Sequence, residues 1–306
     1  MSQGGRILAY ARLSRPLFLG GGVIMYGLGV AMALYRGAVF DWWACLWGQL
    51  AVISIQAMTH FVNEYFDLEA DRANMSPTLL TGGSRVLPKG DLPPRAALAA
   101  AGAAGVAAST CIVILAITTT ADSAFLFIFA AMLILAWGYS APPFRFHSRG
   151  LGELTATVVM TGLTPLTGYI LQAGTLDGMP FVALIPLACF QFSSMMAVAF
   201  PDVESDAAVA KNTLVVRLGG KAPFLHNIVL VLGYVVLPAL SFAGLPDIVV
   251  LSVVITAPLG IRQVWRTRQG DWRNPRRRGL FAAGSIATLM SAAVLEALAF
   301  TYLWIE

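Results

Sequence analysis

The sequence predicts an all-α fold, a polytopic membrane bundle of nine transmembrane helices, and three observations support this class. Of the 306 residues, 58% are hydrophobic and 12% are charged, whereas a soluble domain averages about 25% charged residues. The apolar residues form runs of the roughly 17–25 residues that a membrane-spanning helix needs. The Lys and Arg residues concentrate in alternate connections between these runs. We therefore expect one integral membrane domain over 1–306.

Nine apolar segments fit a membrane-spanning helix. Several contain Gly or Pro, which membrane helices tolerate better than soluble ones. An odd number of spans places the two termini on opposite sides of the membrane. In chain order, the predicted spans are 16–36, 42–62, 95–117, 122–139, 151–173, 180–200, 224–243, 246–264 and 279–303.

The basic residues predict the orientation of the bundle. They lie before the first span and after spans two, four, six and eight, and Arg36 alone falls on the other side. Because Lys and Arg accumulate in cytoplasmic loops, we expect the N-terminus and these connections in the cytoplasm and Glu306 outside a plasma or inner membrane. The same rule accounts for the net charge of +4, so no nucleic-acid partner is predicted. We expect no cleavable signal peptide, since the first residues lack an apolar h-region.

Two acidic motifs follow apolar spans. The first, NEYFDLEAD, spaces Asn63, Asp67 and Asp71 four residues apart, which places them on one face of a helix. The second, PDVESD, contains Asp202 and Asp206, each 135 residues after its counterpart in the first motif. That offset covers four spans, so spans two and six run in the same direction. We expect two related halves whose motifs face a shared site.

The residue types of the two motifs predict a cation site with oxygen ligands. Such sites favour magnesium, calcium or manganese over zinc and copper. Magnesium takes one or two carboxylates and completes its shell with water and phosphate oxygens. Two facing motifs could therefore hold a diphosphate through magnesium ions, which would neutralise the charge on a leaving diphosphate. A solvated acidic face is the alternative for a single pair, but two pairs after long spans disfavour it.

The connections after these spans, 63–94 and 201–223, are long and contain basic residues and glycines. The pair Gly82–Gly83 would let backbone amides approach an anion. Lysine binds phosphate as a point charge, and arginine binds it with two parallel hydrogen bonds. The candidates for substrate phosphate contacts are Arg72, Arg85, Lys89 and Lys211.

Three segments resemble the UbiA superfamily of intramembrane aromatic prenyltransferases. NEYFDLEAD has the N-x-x-x-D-x-x-x-D pattern, and DVESD with the downstream AKNTLVVRLGG resembles the second acidic motif and its basic run. WGYSAPPFRFHSRGLGEL resembles the segment between helices four and five. The loop LLTGGSRVLPKGDLPPRAAL is most similar to the MenA-like branch, the 1,4-dihydroxy-2-naphthoate prenyltransferases. The resemblance extends from SRP at 14–16 through the ninth span.

This resemblance implies a UbiA-like bundle around a central cavity, capped by the two long loops and open laterally for a lipid tail. It implies Mg²⁺ as cofactor and Tyr139 and Arg145 as residues beside the reaction centre. Many MenA-like members carry Asn where this chain has Val198, so the first motif is expected to supply more of the metal coordination. The residues implied to bind Mg²⁺ and diphosphate are Asn63, Asp67, Asp71, Asp202 and Asp206.

The implied reaction transfers a polyprenyl group from its diphosphate to an aromatic acceptor, with 1,4-dihydroxy-2-naphthoate of menaquinone biosynthesis as the expected acceptor. Other superfamily acceptors stay open: 4-hydroxybenzoate, homogentisate, a chlorophyllide, a haem, a glycerol-phosphate lipid, or water in terpene cyclisation. An ion-coupled transporter is disfavoured, because transporter sites lie near the bilayer midplane, whereas these acidic motifs are predicted at one face of the membrane.

Glu153 is either a helix N-terminal acid or a site residue. Glu296, the oligomeric state and the prenyl length are unassigned.

Overall fold

The computed structural model describes residues 3–78 and 80–306, and all regular elements in these ranges are helical. The all-α prediction is thereby confirmed. Met1, Ser2 and Leu79, which fall within the predicted domain 1–306, lie outside the described residues. The α-helices in chain order are α1 (Gln3–Leu13), α2 (Pro16–Tyr35), α3 (Trp42–Phe66), α4 (Leu68–Ala73), α5 (Pro94–Thr118), α6 (Ala124–Gly138), α7 (Gly152–Thr157), α8 (Thr164–Ala173), α9 (Met179–Ala183), α10 (Ile185–Ala199), α11 (Val203–Ala208), α12 (Leu214–Leu218), α13 (Ala222–Val235), α14 (Leu237–Phe242), α15 (Asp247–Val254), α16 (Ala257–Arg268) and α17 (Arg278–Ile305).

Seven helical segments of the described chain are long and apolar enough to cross a membrane. The two other predicted spans are helical but short or interrupted. α6 has 15 residues, and the span predicted at 180–200 breaks at Leu184, between α9 and α10. Both α9 and α10 have a proline in the first turn, where the helix does not need the missing backbone N–H as a hydrogen-bond donor. Nine crossings therefore stay a prediction. The seven segments are Pro16–Tyr35, Trp42–Phe66, Pro94–Thr118, Gly152–Ala173, Leu214–Phe242, Asp247–Arg268 and Arg278–Ile305.

The helices α2 and α8 contribute to both large apolar cores of the bundle. Where they cross, their backbones touch: a Cβ on Gly29 would overlap the carbonyl of Pro165, and a Cβ on Gly168 would overlap that of Tyr26. Small residues allow such close packing between membrane helices. On one side of this pair α3 packs on α5, and on the other α17 packs on α2 and α10. A short π-helical segment, Val158–Leu163, joins α7 to α8.

The two acidic motifs meet at one end of the bundle. α4, which carries Asp71, packs against α11, which carries Asp206. The connection between α4 and α5 folds over this end, and α1 packs on it through an apolar cluster that includes Leu13 and Leu87. The connections predicted as long loops are thus partly helical. Their helices bring the motifs together.

Candidate active site

A cavity of about 960 Å³ lies between the helices, and both acidic motifs reach it. Its remaining wall is mostly apolar and is built by α2, α6, α10, the segment 153–160 and α17. The apolar wall includes Phe18, Ile24, Leu135, Met160 and Met290. The predicted site residues that line the cavity are Asn63, Asp67, Asp71, Tyr139, Asp202, Asp206 and Lys211.

The first motif keeps a helical hydrogen-bond pattern, although α3 ends one residue before Asp67. The Asp67 amide donates to the Asn63 carbonyl (2.8 Å), and the Asp71 amide donates to the Asp67 carbonyl (2.9 Å). The three side chains therefore share one face, as their spacing predicts. The Asn63 Nδ2 donates to Asp67 Oδ2 (2.5 Å) and to Ser140 Oγ (3.0 Å). This leaves the side-chain oxygen of Asn63 as its atom for binding a cation.

The second motif is held by residues of the first half of the chain. The Asn74 Nδ2 donates to Asp202 Oδ1 (2.7 Å), and the Gly82 amide donates to Asp202 Oδ2 (3.4 Å). Val198 lines the cavity one turn before Asp202. The amide that is missing at position 198 thus has a counterpart in Asn74, which donates to Asp202 as Asn63 donates to Asp67. No sequence motif indicates this role of Asn74, because the contact joins residues 128 positions apart.

Lys211 links the two motifs. Its Nζ lies 2.8 Å from Asp67 Oδ2 and 3.4 Å from Asp206 Oδ1, and the residue is 8% exposed. Burial acts to lower the pKa of Lys211, but the charges of Asp67 and Asp206 outweigh it and raise the pKa. Burial likewise acts to raise the pKa of Asp67, and the charge of Lys211 outweighs it and holds that pKa well below its usual range. Lys211 is therefore a charged bridge between the halves.

Two of the other acids have a raised pKa, mainly because they are buried. Burial, followed by the charge of Glu64, raises the pKa of Asp71 to about 8. Burial, followed by the charge of Asp206, raises the pKa of Asp202 to about 6. An opposite charge within a few ångströms favours the ionised form of a carboxyl group. A cation bound beside these two side chains would therefore lower the pKa of both.

The ligand set fits magnesium better than a metal enclosed by protein. Within residues 3–78 and 80–306, no group of three or more His, Cys, Asp or Glu side chains is close enough to hold a metal ion by itself. Magnesium is bound through one or two carboxylates, with water and substrate phosphates as the other ligands. The separated pairs Asp67–Asp71 and Asp202–Asp206 suit this mode of binding.

The buried carboxylate of Glu64, next to Asn63 in the first motif, orders the loop TGGSR, residues 81–85. Glu64 accepts hydrogen bonds from the Ser84 amide (2.6 Å) and the Ser84 hydroxyl (2.7 Å). The Arg15 Nε donates to the same carboxylate (3.0 Å). The Arg85 guanidinium donates to the backbone carbonyl of Asp71. Glu64 and Arg85 thus hold the loop against the acidic motif.

Four of the predicted residues do not line the cavity in the described chain: Arg72, Arg85, Lys89 and Arg145. Arg72, Lys89 and Arg145 are exposed. Neighbouring residues on a helix point about 100° apart, so the side chain after the buried Asp71 points outward. Arg85 is half-buried and engaged with the backbone. The structure therefore places these four arginine and lysine side chains outside the lining of the cavity.

Tyr139 lines the cavity together with His147, a residue that no sequence motif predicts to be in the site. The two rings stack with centroids 4.8 Å apart, and His147 Nδ1 lies 3.7 Å from Asp67 Oδ2. The His147 amide donates to the Tyr139 carbonyl (2.9 Å), which closes the segment between them into a compact loop. The pairing depends on this loop turning back, a feature that residue spacing alone does not reveal.

Comparison with known proteins identifies the family. The model of the UbiA prenyltransferase family matches residues 23–300. The 1,4-dihydroxy-2-naphthoate octaprenyltransferase of Mycobacterium tuberculosis is 25% identical over 281 residues, which cover 90% of this chain and 91% of that protein. The digeranylgeranylglyceryl phosphate synthase of Archaeoglobus fulgidus is 40% identical over 80 residues, so the chain spans only 25% of that relative.

A solved structure supports the fold. A UbiA homolog from Archaeoglobus fulgidus, bound to GPP and Mg²⁺, superposes with a TM-score of 0.64 at 16% identity and covers 94% of this chain and 99% of that one. The likeness shows the same helical fold. Since the family model covers nearly the whole chain, the resemblance seen in the motifs is confirmed, and the chain is a member of the UbiA prenyltransferase family.

Proposed function

We propose that this enzyme transfers a polyprenyl group from a prenyl diphosphate to 1,4-dihydroxy-2-naphthoate in an Mg²⁺-dependent step of menaquinone biosynthesis. The observation that carries the reaction type is the meeting of two acidic motifs and Lys211 at the polar end of a largely apolar cavity. The Mycobacterium tuberculosis relative, which aligns along 90% of the chain, supports the naphthoate acceptor. The homolog bound to GPP and Mg²⁺ supports the donor and the ion.

The polar end of the cavity would hold the diphosphate. The oxygens of Asn63, Asp67, Asp71, Asp202 and Asp206 would bind Mg²⁺, which when bound neutralises the charge that develops on the departing diphosphate. The Lys211 ammonium lies at the same end and is positioned to donate to a phosphate oxygen. A lysine serves this role as a compact point charge.

The apolar wall would hold the prenyl chain and protect the reacting carbon. Departure of the diphosphate breaks the allylic C–O bond and leaves positive charge on the prenyl carbon. The wall excludes water, which would otherwise quench that cation. The face of Tyr139, stacked on His147, lies beside the polar end, and aromatic faces stabilise positive charge. The acceptor ring then attacks the allylic carbon, and loss of carboxylate as CO₂ from the naphthoate restores its aromaticity.

The distribution of basic residues supports a cytoplasmic location for this site. The two connections that carry the motifs lie on the side of the bundle with most Lys and Arg, which is the cytoplasmic side in most membrane proteins. The charged diphosphate and the carboxylated acceptor would enter from the water on this side. The tail would remain in the lipid.

A product assay tests the proposed reaction. Purified protein would be incubated with Mg²⁺, a long polyprenyl diphosphate and single acceptors, and products would be read by mass spectrometry. The acceptors would be 1,4-dihydroxy-2-naphthoate, 4-hydroxybenzoate, homogentisate and a glycerol-phosphate lipid. We expect a prenylated dihydroxynaphthalene, in which the carboxyl group has left as CO₂. This product should form only with 1,4-dihydroxy-2-naphthoate, and its formation should stop when Mg²⁺ is chelated. Diphosphate release without any coupled product would instead indicate a cyclase or phosphatase, and turnover in excess chelator would contradict the magnesium role.

The loop glycine at position 83 gives a second prediction. Gly83 has φ +71°, and a Cβ there would overlap the Asp71 carboxylate. We expect Gly83→Ala to lower prenyl transfer at least about tenfold and to raise the Mg²⁺ concentration needed for half-maximal rate, because Asp71 must move. A tenfold loss corresponds to about 1.4 kcal/mol. Rates measured across a magnesium titration would show both effects.

The matched control for this variant is Gly90→Ala. Gly90 has φ +76° in the same connection, but nothing lies within 4 Å of a Cβ placed there. Both substitutions carry the backbone cost of a left-handed conformation, about 1–2 kcal/mol, so both should lower thermal stability similarly. Equal activity of the two variants would show that the contact between Gly83 and Asp71 has no part in catalysis.

A further inference from the structure

The cavity wall contains a carboxyl group that the diphosphate site does not use. Glu153 is 2% exposed, and it lines the same cavity as the acidic motifs. Neither of its carboxyl oxygens has a hydrogen-bond partner among the residues that the structure describes. Leaving a buried polar group unsatisfied costs about 1–3 kcal/mol. A group left in this state on a cavity wall is positioned to bind a ligand.

The position of Glu153 indicates which part of a ligand it would meet. It lies in the first turn of α7, directly after Gly152, where a Cβ would come within 2.6 Å of His147 Cδ2. The His147 ring stacks on Tyr139. Further along the same segment, Val159 and Met160 line the cavity. Glu153 therefore lies where an aromatic pair at the polar end meets the apolar wall.

The chemistry of this position suits an aromatic hydroxyl. A carboxyl group accepts a hydrogen bond from a hydroxyl, the stacked pair offers a flat surface to a ring, and the apolar wall accommodates the ring carbons. A diphosphate has only acceptor oxygens and would be repelled by a carboxylate unless a cation lay between them. The described residues show no hydrogen bond or ion pair between Glu153 and Lys211, so Glu153 makes no direct contact with the bridge that joins the two motifs.

We propose that Glu153 accepts a hydrogen bond from a ring hydroxyl of the aromatic acceptor and thereby determines acceptor specificity. The inference rests on the proposed function, since it assigns the acceptor to the part of the cavity next to the diphosphate end. Sites built to bond a substrate hydroxyl discriminate strongly against analogues that lack it, because their buried polar group is then left unpaired. Glu153 accordingly selects acceptors that carry a free hydroxyl.

Steady-state kinetics give the first test. In Glu153→Leu, which keeps similar bulk and removes the carboxyl group, we expect the KM for 1,4-dihydroxy-2-naphthoate to rise at least about tenfold, equivalent to about 1.4 kcal/mol. The KM for the prenyl diphosphate should stay at the wild-type value. Glu153→Gln retains a side-chain carbonyl as acceptor and should show a smaller rise. It also tests the role if the leucine variant fails to fold.

The matched control is Thr157→Val, four residues along the same helix. Thr157 is buried and does not line the cavity in the described chain, and its hydroxyl already donates to the Glu153 carbonyl (2.7 Å). Its replacement should leave the KM for both substrates unchanged. A rise equal to that of Glu153→Leu would indicate a general disturbance of α7 and would overturn the specific role of Glu153.

A binding measurement separates this inference from the proposed reaction. The fluorescence of 1,4-dihydroxy-2-naphthoate and of its dimethyl ether would be titrated with wild-type protein and Glu153→Leu, without a prenyl donor. We expect the wild-type protein to prefer the free hydroxyls at least about tenfold and the variant to lose this preference. That result would support the subsite even if the wild-type protein transferred no prenyl group, in which case only the proposed function would fail.

Two outcomes would overturn the inference. The first is an unchanged preference for the hydroxyl form in Glu153→Leu. The second is a loss of Mg²⁺-dependent prenyl diphosphate binding in Glu153→Leu and Glu153→Gln, measured with a non-hydrolysable thiodiphosphate analogue. That loss would assign Glu153 to the diphosphate site as a further metal ligand.

Discussion

Replacing Asp67 or Asp202 with alanine is expected to lower prenyl transfer at least about a thousandfold, while the protein still inserts in the membrane. Each carboxylate is held in place by two hydrogen bonds. Asp67 accepts hydrogen bonds from Asn63 and Lys211, and Asp202 accepts from Asn74 and Gly82. A thousandfold loss corresponds to about 4 kcal/mol of transition-state stabilisation, which is within the several kcal/mol that a metal ion supplies to a developing anion.

The controls for this prediction lie two residues after each target. Glu69 lies in α4 and Glu204 in α11, the short helices that directly follow the two targets, and both are exposed. Glu69→Ala and Glu204→Ala remove the same charge at the same end of the bundle, and we expect near wild-type rates from both. Product formation by mass spectrometry and magnesium-dependent binding of a thiodiphosphate analogue would be measured for all four variants. Equal losses in the control pair would mean that bulk negative charge, and not the geometry of the motifs, supports the reaction.

Lys211→Met is expected to reduce both stability and activity. Lys211 is the buried cation between Asp67 and Asp206, at 2.8 and 3.4 Å. Removing one partner from a buried ion pair costs about 3–5 kcal/mol, because the remaining charges are left uncompensated. In this protein the uncompensated carboxylates belong to two motifs that must stay together. We therefore expect a lower melting temperature without metal and at least about a hundredfold loss of prenyl transfer.

Magnesium should partly restore the stability of this variant. Binding of Mg²⁺ with a prenyl thiodiphosphate adds positive charge beside the same carboxylates, so the melting temperature of Lys211→Met should rise more than that of the wild-type protein. Lys221→Met is the control, since Lys221 is exposed at the end of the same connection. Its replacement should change neither the metal-free melting temperature nor the rise that Mg²⁺ and the thiodiphosphate cause. A metal-free melting temperature equal to that of wild type would refute the bridging role of Lys211.

Local features of the sequence were sufficient to predict the helical bundle and the first motif. Apolar runs of membrane-spanning length become helices because the backbone groups of such a segment must bond internally. The four-residue spacing of Asn63, Asp67 and Asp71 places them on one face because helical geometry is set by the backbone alone. Even the interruption at Asp67 leaves this register unchanged, since the bonds from Asp67 to Asn63 and from Asp71 to Asp67 are kept.

The sequence did not reveal which basic side chains of the connections reach the cavity, because this depends on how the connections pack. Arg72 and Lys89 were expected to contact phosphate because they lie near an acidic motif, and the family resemblance implied that Arg145 lies beside the reaction centre. All three side chains are nevertheless exposed. Lys211, from the other long connection, does reach the site. The conformation of a connection depends on what it packs against, and neighbours distant in sequence decide which side chain of a loop turns inward.

Three predictions came from the sequence: the chain is a helical membrane protein, its acids form two matching motifs, and the residue types of those motifs suit magnesium and a diphosphate. These follow from hydrophobicity, helical period and ligand chemistry, which act locally. The packed structure adds three features. Asn74 supplies the amide absent at Val198, His147 stacks on Tyr139, and the Glu153 carboxyl is buried in the cavity wall with no hydrogen-bond partner among the described residues. The hydrogen bond between Asn74 and Asp202 joins segments 128 residues apart. The stack of His147 on Tyr139 depends on how the loop between them folds, and the burial of Glu153 depends on how the helices pack around the cavity.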